Sequence, residues 1–288
     1  IASISLAGAP GAPSASVLKL CNGSRYSHVL ASLNYVENNT FTGQPITVSS
    51  LTFAGPADGD IVGTSGFIMM QWRRRVTRCT FKGFETGLRV STVTAYGAPI
   101  VTSMVNNRYE NDVFEQNSDA GFRITDPSRH TATDYFLLDS FASDNGGAGF
   151  KVDTTAGALI RGSHLYSNAV DIDINIGSQA LRIFENYFED ALSLRIQTMN
   201  EGETIALVGN IFEGACSLTA NDGNATVDSS SNVFRTQRAV MMLSGNRGHV
   251  LSVVSVGDAF VSTATHYNKS GSVSVSSPQM QMSTETRT

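Results

Sequence analysis

Several things this chain has little of limit what it can be. Its 288 residues include only three cysteines, Cys21, Cys79 and Cys216. They are too few and too scattered for a disulfide framework or a zinc site, so buried thiols are expected. No apolar run approaches the roughly 18 residues that span a bilayer, so no membrane partner is expected. Ile1 to Leu6 is too short for a secretory leader, and a chain that starts with Ile is expected to be a processed or truncated product. Lys and Arg number 20 against 25 Asp and Glu, for a net charge of -5 and a pI near 5.5. That balance argues against a nucleic-acid partner, which needs a basic face able to release phosphate counterions. His28, His130, His164, His249 and His266 have no metal-ligand spacing, and no phosphate loop or nucleophile elbow occurs. Neither a metal nor a cofactor is therefore expected. Helix is scarce as well, because no stretch of about 12 residues keeps a helical period.

What the chain does have is a repeat. From Arg182 to Ile196 a short strand is followed by Asn186, then Phe188, a turn, and a second strand in which Leu192, Leu194 and Ile196 alternate with polar residues. That alternation marks a strand with one buried face. The same frame places anchors at Phe41, Phe81, Phe114, Phe141, Leu165, Phe188, Phe212, Phe234 and Phe260, spaced 40, 33, 27, 24, 23, 24, 22 and 26 residues apart. A period near 23 that loosens at insertions is the mark of stacked coils. Two residues before each anchor stand Asn39, Cys79, Asp112, Asp139, Ser163, Asn186, Asn210, Asn232 and Asp258. Small polar side chains stacked at a turn can bond to one another and to backbone amides, so this column is expected to be a ladder.

The repeat runs through nearly the whole chain, which favours one elongated domain. Residues 1–16 read as a flexible lead-in, 17–276 as the stacked domain and 277–288 as a polar tail. Insertions are expected at 54–66, at 92–106 and at 126–133. The run Arg73-Arg74-Arg75 reads as a solvated corner or ion-pair partner, or else as a binding patch.

The succession Ser65-Gly66-Phe67-Ile68-Met69-Met70, Trp72 to Phe81 and Gly87-Leu88-Arg89-Val90 is echoed by Ala120-Gly121-Phe122-Arg123-Ile124 and Ala148-Gly149-Phe150-Lys151-Val152. It resembles the right-handed parallel β-helix of the pectin-lyase-like superfamily, over residues 17 to 276. That superfamily includes polysaccharide lyases, glycoside hydrolases, epimerases, fructotransferases, bacteriophage tailspike depolymerases and adhesins. The resemblance implies an all-β, single-stranded solenoid of about 8–10 coils. It also implies an extracellular or virion-associated setting.

Two sets of residues are candidates for chemistry. Aligning strands by their buried pairs puts Arg89, Arg123, Lys151, Asp173, Ser193 and Ser217 in one outward column, with Ser91, Thr125, Asp153, Asn175, Arg195 and Thr219 in the next. A saccharide groove needs such donors and acceptors, with Arg123, Lys151, Asn175 and Arg195 as the substrate-binding candidates. Asp171, Asp173 and Asp153 would be a carboxylate set, although a solvated face with cross-strand ion pairs has the same pattern. The second set is Glu189 and Glu213, one residue past adjacent anchors, with Asp190 beside them. Two carboxylates held together can serve as general acid and partner, or simply splay apart at a turn. An apolar stripe at Leu137, Phe184, Val208 and Val256, four residues before the anchors, is expected to face outward and to meet another subunit, as in a homotrimer. The expected function is to bind, and to depolymerise by hydrolysis or elimination, an extracellular or cell-surface polysaccharide. The alternative is a non-catalytic structural or adhesive appendage.

Overall fold

The apolar-polar alternation in short runs produces strands and almost nothing else. The computed structural model describes residues 4–277 apart from 10–15, 42–44, 57–60, 127–131, 155, 178–179, 222, 247 and 262–265. Each strand pairs in parallel with the strand three places further along, giving three parallel sheets of 11, 10 and 10 strands. The leading sheet runs from Ile4–Ala7 to Val273–Ser276, the middle sheet from Val17–Lys19 to Ala259–Phe260, and the trailing sheet from His28–Ala31 to Tyr267–Gly271. Among the described residues the one helix is a single turn, Leu33–Val36. The strand Ile4–Ala7 pairs with Ile46–Ser49, so the solenoid reaches into the segment read as a lead-in. Residues 57–60 of the first insertion, most of the third insertion and the tail from 278 lie outside the described residues.

The corner between the leading and middle sheets shows how the sequence sets the coil. One residue per coil takes a left-handed conformation: Arg78, Asn111, Asp139, Gly162, Glu185, Gly209, Ser231 and Gly257, with φ between 50° and 70°. Such a residue turns the chain sharply, at some cost where it is not Gly. The residue after it forms the ladder. Asn186 Nδ2 donates to Asn210 Oδ1 at 3.0 Å, Asn210 Nδ2 to Asn232 Oδ1 at 2.9 Å, and Asn232 Nδ2 to Asp258 Oδ1 at 3.0 Å. The ladder continues upward as backbone amides of Ser163, Ser140, Asp112 and Cys79 donate to Asn186, Ser163, Ser140 and Asp112. These bonds satisfy polar groups that the turn would otherwise bury unpaired. Ser140, not Asp139, is the rung, and Asn39 bonds to Asn34 instead.

The interior of the middle sheet is a column of rings. Phe53, Phe81 and Phe114 stack at 4.7 and 5.4 Å, and Phe188, Phe212, Phe234 and Phe260 at 5.1, 4.9 and 4.4 Å. Ala142 and Leu165 bridge the two runs. Phe141 is 48% exposed because Ala142 is the residue in register with Phe114. A slip of one residue reverses every side chain in a strand, and for the same reason Leu137 points inward, fully buried. Phe41, 61% exposed, is no anchor either, since Phe53 holds that position. The outward stripe is therefore Leu138, Phe184, Val208 and Val256, interrupted by Arg161 and Ser230. Cys79 and Cys216 are buried, whereas Cys21 is exposed.

The repeated Ala-Gly-Phe motif follows from close approach between coils. A Cβ on Gly87 would lie 2.6 Å from the Gly121 carbonyl oxygen, and one on Gly121 would lie 2.8 Å from that of Gly149 and 2.6 Å from Phe114 Cβ. No side chain fits there.

Candidate functional site

Two outward faces carry the candidate residues. On the trailing sheet the register runs Arg89, Arg123, Lys151, Asp173, Arg195 and Ser217. The second column places Thr125 beside Asp153, and Asn175 lies one strand on. A bulge between Leu192 and Leu194 shifts the strand by one residue. Ser193 is thereby buried, its hydroxyl donating to the Asp190 carbonyl, and Arg195 moves into the column of Asp173. Arg195 grips Asp173 with two bonds, Nε to Oδ1 at 2.8 Å and Nη2 to Oδ2 at 2.6 Å, while Gln197 Nε2 donates at 3.0 Å. Burial alone would raise the Asp173 pKa, but the Arg195 and Gln197 hydrogen bonds and the charges of Arg195 and Lys151 outweigh it and hold it below the ordinary range. Asp119, at the preceding corner, accepts from Arg123 at 2.9 Å and Lys151 at 2.8 Å. Between these groups lies a depression of about 250 Å³ lined by Lys151, Asp153, Asp173, Asn175 and Gln197.

Asp171 does not belong to that face. It is fully buried and accepts from Asn168 Nδ2 at 3.2 Å and from the Asp190 amide at 3.2 Å, beside a second ladder, Asn117–Asn145–Asn168, whose next rung is Asp190. Burial, with the side chain and charge of Asp190 next, pushes its carboxyl up to about 10. It is a neutral structural acid, closed off from any substrate.

The middle sheet's outer face is different in kind. Phe141, His164 and Tyr187 follow one another on adjacent strands, one residue before the buried anchors. His164 and Tyr187 stack at 4.8 Å with an interplanar angle of 19°, and the rings of Phe141 and Tyr166 tilt against His164 at 57° and 44°. One residue past the anchors come Glu115, Ser143 and Tyr166, then Glu189, Glu213 and Arg235. Glu189 Oε1 lies 2.7 Å from His164 Nε2, and Glu213 Oε1 lies 2.9 Å from Arg235 Nη1 and accepts from the Tyr187 hydroxyl at 3.5 Å. The Arg235 guanidinium sits 5.6 Å from the centre of the Tyr187 ring. Desolvation, then the charges of Glu189 and Glu213, raise the Tyr187 phenol above its usual pKa.

A family model described as a right handed beta helix region matches residues 65–237, more than half of the chain. The chain belongs to the right-handed β-helix family. This agrees with the pectin-lyase-like architecture, and the matched span of the β-helix contains both faces just described. No curated protein and no solved structure matches the chain.

The β-helix thus brings Glu189 and Glu213 to neighbouring strands at the edge of an aromatic strip, and brings Lys151, Asp153, Asp173 and Asn175 around one shallow depression, with Arg195 beside it on Asp173. It separates Arg123 onto Asp119 and removes Asp171 altogether. Sequence reasoning missed Tyr166, Tyr187, His164, Arg235 and Gln197. The signal was available in part: the residues flanking each anchor must face solvent if the anchor faces inward.

Proposed function

We propose that this β-helix binds a polysaccharide along the outer face of its middle sheet. The observation that carries the reading is the strip of Phe141, His164, Tyr166 and Tyr187, flanked by Glu189, Glu213 and Arg235. Hydrogen bonds to sugar hydroxyls replace hydrogen bonds to water and contribute only about 0.5–1.5 kcal/mol each. Net affinity therefore needs apolar surface as well, and aromatic side chains supply it together with a polar edge. Half-exposed Phe141 alone offers on the order of 1 kcal/mol on being covered. The trailing-sheet columns from Arg89 to Ser217 hold no aromatic residue. Crystals soaked with oligosaccharides from capsular, plant and microbial polysaccharides test the reading: sugar is expected against Tyr187 and Phe141.

Cleavage is a second reading, favoured by the placement of Glu189 and Glu213 on adjacent strands, about 4.8 Å apart along the stack. A retaining glycosidase needs the two carboxyl groups themselves about 5–5.5 Å apart, one as nucleophile and the other as acid and base, so Glu189 and Glu213 would have to turn toward each other from His164 and Arg235. In that case Glu189→Gln and Glu213→Gln each abolish release of reducing ends while sugar binding persists. The setting we infer is extracellular or virion-associated, with the chain acting as a homotrimer. Exposed Leu33, Val36, Phe41, Tyr96 and Val101, where residues 35–40 hydrogen-bond to 94–101, are apolar groups an assembly would cover. Light scattering that gives one chain's mass at micromolar concentration would remove the trimer and leave the fold intact.

A further inference from the structure

The triple Arg divides between three environments. Arg73 lies against the Trp72 ring, its guanidinium 4.5 Å from the ring centre, and Arg75 pairs with Glu110 at 2.7 Å on the surface. Arg74 turns inward and is only 1% exposed. Its Nη2 reaches Met104 Sδ at 3.4 Å, and its Nε and Nη1 have no hydrogen-bond partner.

A guanidinium stays protonated in proteins, so this is a cation in the core. Burying an unpaired charge costs several kcal/mol, and such groups are found paired. No carboxylate among the described residues bonds to it. Glu110 is committed to Arg75 and Arg108 on the outside. Asp112 is fully buried, accepts from the Cys79 amide through Oδ1, and has its carboxyl pushed well above the ordinary range, chiefly by desolvation.

Two further buried donors stand in the same part of the core. Arg74 precedes Arg75, which pairs with Arg108. Arg74 therefore shares a register position with Asn107 and, one coil further on, with Tyr135. Tyr109 points inward from the coil between them. The hydroxyls of Tyr109 and Tyr135 are both buried and both lack a partner, and the Arg74 charge is felt at Tyr109. Three inward side chains able to donate, from three successive coils and one of them cationic, thus bond to nothing but a thioether; Gln71 Oε1 and Asp112 Oδ2 are buried and unpartnered as well, and neither bonds to them.

We propose that Arg74, Tyr109 and Tyr135 form an internal binding site for a small inorganic anion of halide size, chloride being the natural occupant. A monatomic anion asks only for donors, which is what this group of side chains has to offer, and it neutralises the buried guanidinium without a carboxylate. The site ties the coil that begins at Arg74 to the two that follow and stands beneath the insertion that carries Met104. Its role is to stabilise the fold.

Protein purified and crystallised in sodium bromide provides the direct test. An anomalous bromide peak within hydrogen-bond distance of Arg74 and a tyrosine hydroxyl is expected. An ordered water there, or no peak, overturns the proposal. In solution the melting temperature should rise on the order of 5 °C when gluconate is replaced by chloride at about a hundred times its dissociation constant. Arg74→Met, an apolar replacement of similar length, should abolish that dependence. A parent insensitive to halide, or a variant that keeps the sensitivity, contradicts the site. If Arg74→Met does not fold, the bromide crystal alone decides.

Discussion

The outer faces of the middle and trailing sheets are built by the same coils, yet they present different chemistry. On the trailing sheet nearly every charge is engaged with a neighbour: Asp119 holds Arg123 and Lys151, and Asp173 is held by Arg195 and Gln197. On the middle sheet the Glu189–His164 contact and the Glu213–Arg235 ion pair border rings that nothing covers completely. A polar face exchanges one set of hydrogen bonds for another when a ligand arrives, whereas an aromatic face also releases water from apolar surface. Paired charges in register are thus weak evidence for a site, and uncovered aromatic side chains beside carboxylates are stronger evidence.

The largest effect should come from crossing between inside and outside within the middle sheet. Phe188→Ala is expected to cost about 3–5 kcal/mol, measured by chemical denaturation, because the ring is fully buried between neighbours. Phe141→Ala, at a position first read as equivalent, should stay within about 0.5 kcal/mol. Equal costs would mean the register is wrong. Asn210→Leu should follow in size, at about 1–3 kcal/mol for each buried group it orphans, since the Asn186 amide and side chain both lose their acceptor.

Asp171 gives a smaller, pH-dependent effect. Its folded pKa is raised to about 10 against an unfolded value of about 3.9, so the fold prefers its proton. The stability it contributes is complete below the unfolded value and is lost as the pH rises toward the folded one. Asp171→Asn, which never ionises, should therefore gain on the parent in melting temperature between pH 4 and pH 9. A difference that does not change with pH would show that the carboxyl is already ionised in the fold.

Much of the fold was legible because a solenoid repeats its own constraints. The spacing of Phe114, Leu165, Phe188, Phe212 and Phe234 reports coil length, and Asn186, Asn210 and Asn232 report the corner. The reading slipped where a neighbour could imitate the pattern. Phe141 is a better apolar candidate than Ala142, but Asp139 takes the left-handed turn and moves the rung to Ser140. Likewise Leu192 continues the alternation of Leu194 and Ile196, and only the bulge reveals that Arg195 aligns with Asp173. The second Asn ladder went unseen because Asn117, Asn145 and Asn168 lie at the other corner and its fourth position is Asp190. Glu189 and Glu213 were legible as neighbours, whereas their aromatic surroundings depended on flanking residues that the anchors had overshadowed.

The difference between the two faces is tested most directly by the affinity of the parent and two variants for whichever polysaccharide the parent binds, measured by titration calorimetry. Tyr187→Ala is expected to weaken binding about tenfold or more, near 1.4 kcal/mol, and Arg195→Ala to leave it within about twofold. Binding lost on Arg195→Ala and kept on Tyr187→Ala would place the glycan on the trailing sheet and contradict the account.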